Sequence, residues 1–391
     1  MVMVQLPEYE RIALVLQGGG ALGAYQAGVF EGLEQAGVAP NWISGISIGA
    51  LNTAIIAGNP PGQRAQRLHE FWDTICQPNN GFGLLPWVEQ SLFRLNDLAR
   101  SGLSAMYGMS AMMDGQKGFF TPRFPPPPVY TPGSVDQTSF YDMSPLRDTL
   151  LRLCDFDLIN SGHLNVSVGA VNVRTGNFTY FCNDRHHLTP EHFMASGALP
   201  PAFAPVQIDG EYYWDGGIMS NTPLGYVLDA EVNADTLVFQ VDLWSARGHL
   251  PDNMMQVYDR VKEIQYSSRT RLVTNQWARM QRMRAVMANV LKELPDQHAL
   301  DAETLETARA IADSKHCNVI QLIYRDREYE SYNKDYQFGV SAMRDHWKSG
   351  LKDIRNTLAQ PDYLAMPDND ISFVTHDIHR IQSEKARKRK F

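Results

Sequence analysis

Arg11-Ile12-Ala13-Leu14-Val15-Leu16-Gln17 runs straight into Gly18-Gly19-Gly20-Ala21-Leu22-Gly23, and Gly45-Ile46-Ser47-Ile48-Gly49 follows one helix later. The opening residues are a short apolar run halted by glycines, the pattern of a buried strand. Tyr25, Val29, Gly32 and Leu33 then recur at helical spacing within 21–35, and Gly37 closes that helix. Trp42 to Gly45 reads as a second strand and Ile48 to Ala57 as a small-residue helix. This repeated strand–turn–helix rhythm predicts an α/β fold with a mostly parallel sheet.

The glycine loop has competing readings. Gly18 to Gly23 satisfies G-x-G-x-x-G, the dinucleotide fingerprint, which also needs an acidic residue at the end of the next strand. That strand ends Ile43-Ser44-Gly45 and offers no carboxylate. Gly18, Gly19 and Gly20 instead let backbone amides turn toward one point beside a helix N-terminus, as an oxyanion hole requires. The loop alone leaves that reading open beside a plain strand-to-helix turn.

Gly45-Ile46-Ser47-Ile48-Gly49 is the chain's single GxSxG. Chance supplies roughly 0.1 such matches in a chain of this composition and length. A strand before and a helix after are what a nucleophile elbow demands, and Gly45 and Gly49 permit its sharp turn. Ser47 is therefore the candidate nucleophile, and it needs a base. Eleven histidines are available, yet His186, His187 and His192, downstream of Ser47, sit in no signature. Trp214-Asp215-Gly216-Gly217 offers a carboxylate beside two glycines and aromatic neighbours that would raise its pKa; by spacing alone it is simply a turn.

Four blocks in order, Gly18 to Gly23, Gly45 to Gly49, Ala195-Ser196-Gly197-Ala198-Leu199-Pro200 and Asp215-Gly216-Gly217, resemble those of the patatin-like phospholipases. Asn221 and Pro223 resemble the family's continuation. The resemblance spans about residues 10–245 and implies a three-layer α/β/α fold with a mostly parallel central sheet. It also implies a Ser–Asp dyad without histidine: Ser47 as nucleophile, Asp215 as base, and the amides around Gly19 and Gly20 as oxyanion donors. Ser196 and Pro200 match a block that is chiefly structural in the family. One departure is Leu22, where the family usually carries Arg or Lys.

On this reading residues 8–250 are the catalytic domain, with a helical insertion at about 62–140 closed by Pro125 to Pro128. Residues 251–391 are a mostly helical C-terminal extension, resembling one seen in some bacterial relatives. Phe71, Trp72, Trp87, Phe93, Met109, Met112, Met113, Phe119 and Phe120 are candidates for an acyl-binding wall, with ordinary core as the alternative.

The expected function is ester hydrolysis of lipids, phospholipase A-like or lysophospholipase-like. A hydroxyalkanoate polyester or a small ester is the alternative substrate, and a non-catalytic membrane-associated or oligomeric scaffold the alternative role. No cofactor is expected, and no metal, since there is no HExxH and no His/Cys cluster. Net charge is −8, which gives no case for nucleic acid. Four scattered cysteines without a CxxC pair suit a reducing compartment. With no signal-like or spanning segment read at the start, the expected location is cytoplasmic, with peripheral contact at the inner membrane surface as an extension. The candidates for such contact, or for a homo-oligomer, are Arg260, Arg269, Arg271, Arg279, Arg282 and Arg284 on a long helix and the basic tail Lys385 to Lys390.

Overall fold

A computed structural model describes residues 4–77, 91–92, 96–127, 133–229, 234–294, 301–312, 316–325, 334–368 and 372–377. Strand β1 (Arg11–Leu16) lies inside a nine-stranded sheet. Its side chains enter two cores alternately: Leu14 and Leu16 join one, Ala13 and Val15 the other. A strand covered on both faces must be apolar throughout, hence the unbroken run in the sequence.

A 3₁₀ turn at Gly20–Gly23 leads into α1 (Ala24–Gln35), β2 (Trp42–Gly45) and α2 (Ile48–Ala57). Helix α3 (Arg64–Ile75) buries Leu68, Phe71, Trp72 and Ile75, so this first part of the expected insertion packs into the main core. Helix α4 (Asp97–Asp114) follows, and then β3 (Thr121–Pro122) and β4 (Tyr141–Asp142) form a small antiparallel ribbon. Trp87, Phe93 and Pro128 lie outside the described residues. Helix α5 (Ser144–Leu153) and the short α6 (Phe156–Asn160) precede β5 (Asn165–Asn172) and β6 (Phe178–Cys182), which form an antiparallel hairpin. Helix α7 (Pro190–Gly197), β7 (Val206–Ile208), β8 (Glu211–Asp215), α8 (Leu224–Leu228) and β9 (Thr236–Asp242) complete the first part.

After residue 250 come α9 (Met254–Glu293), α10 (Ala302–Ala312), β10 (Cys317–Ile323), α11 (Val340–Leu358), α12 (Pro361–Leu364) and β11 (Phe373–Asp377). These residues are mostly helical, but they also supply two strands of the same sheet. The order is β11-β10-β9-β1-β2-β5-β8-β7, with β6 also on β5. Pairing is parallel from β11 to β5 and antiparallel for β6, β7 and β8. Helix α11 lies tightly on α1: a Cβ on Gly28 would stand 2.0 Å from the Trp347 carbonyl oxygen, and one on Gly350 2.0 Å from that of Tyr25. Leu224 and Val227 of α8 and Val273 of α9 cover the opposite face, which makes three layers, α/β/α.

Candidate active site

Ser47 joins β2 to α2 with φ 57° and ψ −126°. Such a conformation costs a non-glycine residue ~1–3 kcal/mol and must be imposed by its surroundings. The flanking glycines make it sterically feasible. A Cβ on Gly45 would lie 2.4 Å from the Gly49 carbonyl, and one on Gly49 2.4 Å from the Leu16 carbonyl oxygen. The Ser47 amide is held as well: it donates to Ser196 Oγ at 3.1 Å, and that hydroxyl donates to the Gly169 carbonyl at 2.7 Å.

Strand register brings the partner carboxylate to the same level. The β2–β5 pairing ends at Gly45↔Val168, and β5 pairs with β8 at Ala170↔Asp215. Two residues beyond Gly45 is Ser47, and two beyond Val168 is Ala170, opposite Asp215. The Asp215 carboxylate lines the same cavity as Ser47, whose hydroxyl lowers its pKa, and it accepts the Gly217 amide at 2.7 Å. Its two glycines keep the following backbone close to β5: a Cβ on Gly216 would lie 2.6 Å from the Gly169 carbonyl oxygen, and one on Gly217 2.9 Å from Asn221 Oδ1. Asp215 is 1% exposed. Burial pushes its pKa up to about 7, against the opposing pull of the Ser47 and Gly217 hydrogen bonds. A carboxylate poised there accepts a proton near neutrality better than an ordinary one.

The three loop glycines are not equivalent. Gly18 donates its amide to the Asn221 carbonyl at 3.1 Å, and its own carbonyl accepts Asn221 Nδ2 at 2.9 Å and Trp244 Nε1 at 2.8 Å. Both polar groups of Gly18 are thus engaged within the fold, which anchors the loop. Among the described residues the amides of Gly19 and Gly20 have no hydrogen-bond partner, and both glycines line the cavity over Ser47. Gln17 ties the loop to the end of β9: its Oε1 accepts the Leu243 amide at 2.6 Å and the Trp244 amide at 3.0 Å, while Nε2 donates to Thr222 Oγ1 at 2.8 Å. Gly20, at φ 55°, would place a Cβ 2.2 Å from the Asp335 carbonyl oxygen. Leu22 is fully buried in the core, where an unpaired cation would be costly.

The cavity is narrow, about 80 Å³, and apolar; Phe119, Phe120, Phe203, Trp244, Tyr266 and Phe338 are among its walls. Of the candidate acyl wall, Phe119 and Phe120 are there, while Phe71 and Trp72 belong to the core below. Met109, Met112 and Met113 point outward, 60%, 41% and 70% exposed. Among the described residues no histidine lines the cavity. His186 and His192 pack on Phe181, and His192 Nδ1 accepts the Thr189 amide at 3.0 Å. Among the described residues no group of His, Cys, Asp and Glu is arranged to hold a metal ion.

Sequence reasoning missed the wall supplied from beyond residue 250. Tyr266, Asp335, Tyr336 and Phe338 line the cavity. Next to Asp335, Lys334 Nζ donates to Glu263 Oε1 at 2.7 Å and lies 5.3 Å from the Trp244 ring. Gln17, a polar residue ending an apolar strand, was a legible signal; these others carried none. Arg260, expected as a lipid contact, is turned inward to Glu263 at 2.7 Å. The side chains of Arg269 and Arg271 and the tail Lys385 to Lys390 lie outside the described residues. Among the described residues no helix is long and apolar enough to cross a membrane.

Residues 14–228 match the family model of patatin-like phospholipases, and residues 264–370 that of a patatin phospholipase family. The chain belongs to the patatin-like phospholipase family. Membership implies lipid acyl hydrolase activity, and the mixed, mostly parallel sheet with its C-terminal helices agrees with the family's α/β/α fold. The crystal structure of VipD from Legionella pneumophila is similar at 15% identity and a TM-score of 0.37, over 92% of this chain and 70% of that one. No curated protein matches the chain.

Proposed function

We propose that this patatin-like protein hydrolyses acyl esters of lipids with Ser47 as nucleophile, Asp215 as general base and the Gly19 and Gly20 amides as oxyanion donors. The observation that carries the reading is the buried Asp215 carboxylate beside Ser47, in a cavity that no histidine lines among the described residues.

Ser47 Oγ attacks the acyl carbon as its proton passes to Asp215. The carbonyl oxygen becomes negative beside the two free amides, and each such donor is typically worth ~10²–10³ in rate. The N-terminus of α2 behind Ser47 adds a positive potential. Collapse expels the alcohol portion, which takes the proton back from Asp215 and leaves acyl-Ser47. Water then gives a proton to Asp215 as it attacks the acyl carbon. The second collapse releases the fatty acid and returns that proton to Ser47. The aromatic walls suit an apolar acyl chain.

The test is turnover of p-nitrophenyl esters of short and long acyl chains by the parent, Ser47→Ala and Asp215→Asn proteins, each checked for folding. Both variants should lose nearly all activity. Parental activity in either one would remove it from the dyad, and an inert parent would count against the ester hydrolase reading.

A further inference from the structure

Helix α4 is apolar on two opposite sides. Leu103, Tyr107 and Ala111, four residues apart, are buried, and the Tyr107 ring lies against Gly339. Met106, Met109 and Met113 occupy the other side at 42%, 60% and 70% exposure. Between Arg100 and Asp114 there is no charged residue. A surface helix ordinarily opposes its buried stripe with charge; one apolar all round ordinarily has a second apolar neighbour.

The exposed apolar side of α4 is linked to the catalytic cavity through Tyr141. Tyr141 Oη donates to the Met112 carbonyl at 2.8 Å, fastening α4 to the β3–β4 ribbon. Beside that ribbon Phe124 is 95% and Phe140 52% exposed. The Tyr141 ring meets Phe120 at 4.9 Å, and Phe120 lines the cavity over Ser47.

We propose that this face docks on a lipid surface, with Met109, Met113 and Phe124 entering the boundary between headgroups and acyl chains. The proposal deepens the lipid-hydrolase reading and rests on it for the nature of the partner. Three observations favour lipid over a protein. Its helical part, between Arg100 and Asp114, has no charges to select a polar partner. Its unbranched methionines suit a fluid, irregular contact. The cavity, about 80 Å³, is far below the ~300–1,000 Å³ of pockets that engulf a ligand, so an acyl chain has to be presented from an adjoining apolar phase. Docking of this kind is driven by buried apolar area, so it needs no anionic lipid and resists salt.

The test separates docking from turnover. Ser47→Ala protein, with and without Met109→Glu/Met113→Glu, is floated with neutral phosphatidylcholine vesicles at low and high salt. The glutamates should lower partition about tenfold or more at both salt concentrations, while Met109→Leu/Met113→Leu preserves it. In otherwise parental protein the same glutamates should leave turnover of a soluble short-chain p-nitrophenyl ester within about twofold of the parent's. The proposal is overturned by equal partition of the glutamate variant or by no partition of the Ser47→Ala protein. Binding confined to anionic vesicles at low salt would overturn it in favour of basic residues, and a dimer that the glutamates dissociate would assign the face to a second copy. Loss of soluble-ester turnover would make these methionines part of the cavity instead. A parent inert on every ester would defeat the hydrolase reading, while vesicle partition would still decide the docking face.

Discussion

The backbone amide of Ser47 donates to the Ser196 hydroxyl at 3.1 Å, and that hydroxyl donates in turn to the Gly169 carbonyl at 2.7 Å. Ser196 thus joins the strained elbow to β5, the strand that separates Ser47 from Asp215. Ser196→Ala strands a buried donor and a buried acceptor, a loss of ~1–3 kcal/mol. The expected result is a lower Tm and a reduced kcat with KM little changed, short of the near-complete loss in Ser47→Ala. Thermal melts and steady-state kinetics check both.

Ser47 itself holds positive φ, at 57°. Glycine tolerates this backbone better than alanine does, by ~1 kcal/mol or more. Ser47→Gly and Ser47→Ala should be equally inactive, with the glycine variant the more stable in urea. Equal stability would mean the elbow is not strained.

Asp215 has its pKa raised by burial to about 7, so the base is protonated below that value and free above it. The acylation rate should climb with pH through about 7 and then level. Stability runs the other way. A raised carboxyl pKa favours the folded state below the unfolded value and loses that contribution as pH rises to the folded value. Asp215→Asn removes the titration, so its Tm advantage over the parent should widen from about pH 4 to about pH 7 and stay constant above. Melts across that range measure it.

Glu263 takes Lys334 on one oxygen and Arg260 on the other, each at 2.7 Å, beneath the segment that covers Gly20. Glu263→Gln removes the anion both cations share, whereas Lys334→Met leaves Glu263 still paired with Arg260. Glu263→Gln thus breaks two ion pairs and Lys334→Met one, and loss of a buried charge partner is destabilising. Glu263→Gln should therefore lower Tm more than Lys334→Met, and lower kcat through a loosened glycine loop.

The elbow was legible because its geometry is local: a strand, two glycines around a serine, and a helix leave few alternatives. Asp215 was not legible in that way. An Asp-Gly-Gly turn has no chemistry until β5 and β8 set its register, and the family resemblance stood in for that register. Gly18 could not be told from Gly19 by type; the carbonyl of Asn221, far along the chain, takes its amide. The methionines of α4 have the spacing of a core stripe, but Leu103, Tyr107 and Ala111 already fill the inner side. Strand β11 was missed because its five residues, Phe373-Val374-Thr375-His376-Asp377, are only half-buried at the sheet edge and carry little apolar signal.

The site is stitched from segments made at very different moments of synthesis. Ser47 leaves the ribosome early, Asp215 much later, and Asp335, which closes over Gly20, later still. Strand β9, buried along its whole length, has an unpaired edge until β10 arrives. A chain cut short anywhere before that is a sticky, unfinished sheet. Such a fragment also lacks Asp335, Tyr336 and Phe338, so the cavity over Ser47 has no complete wall until the last third of the chain has been made.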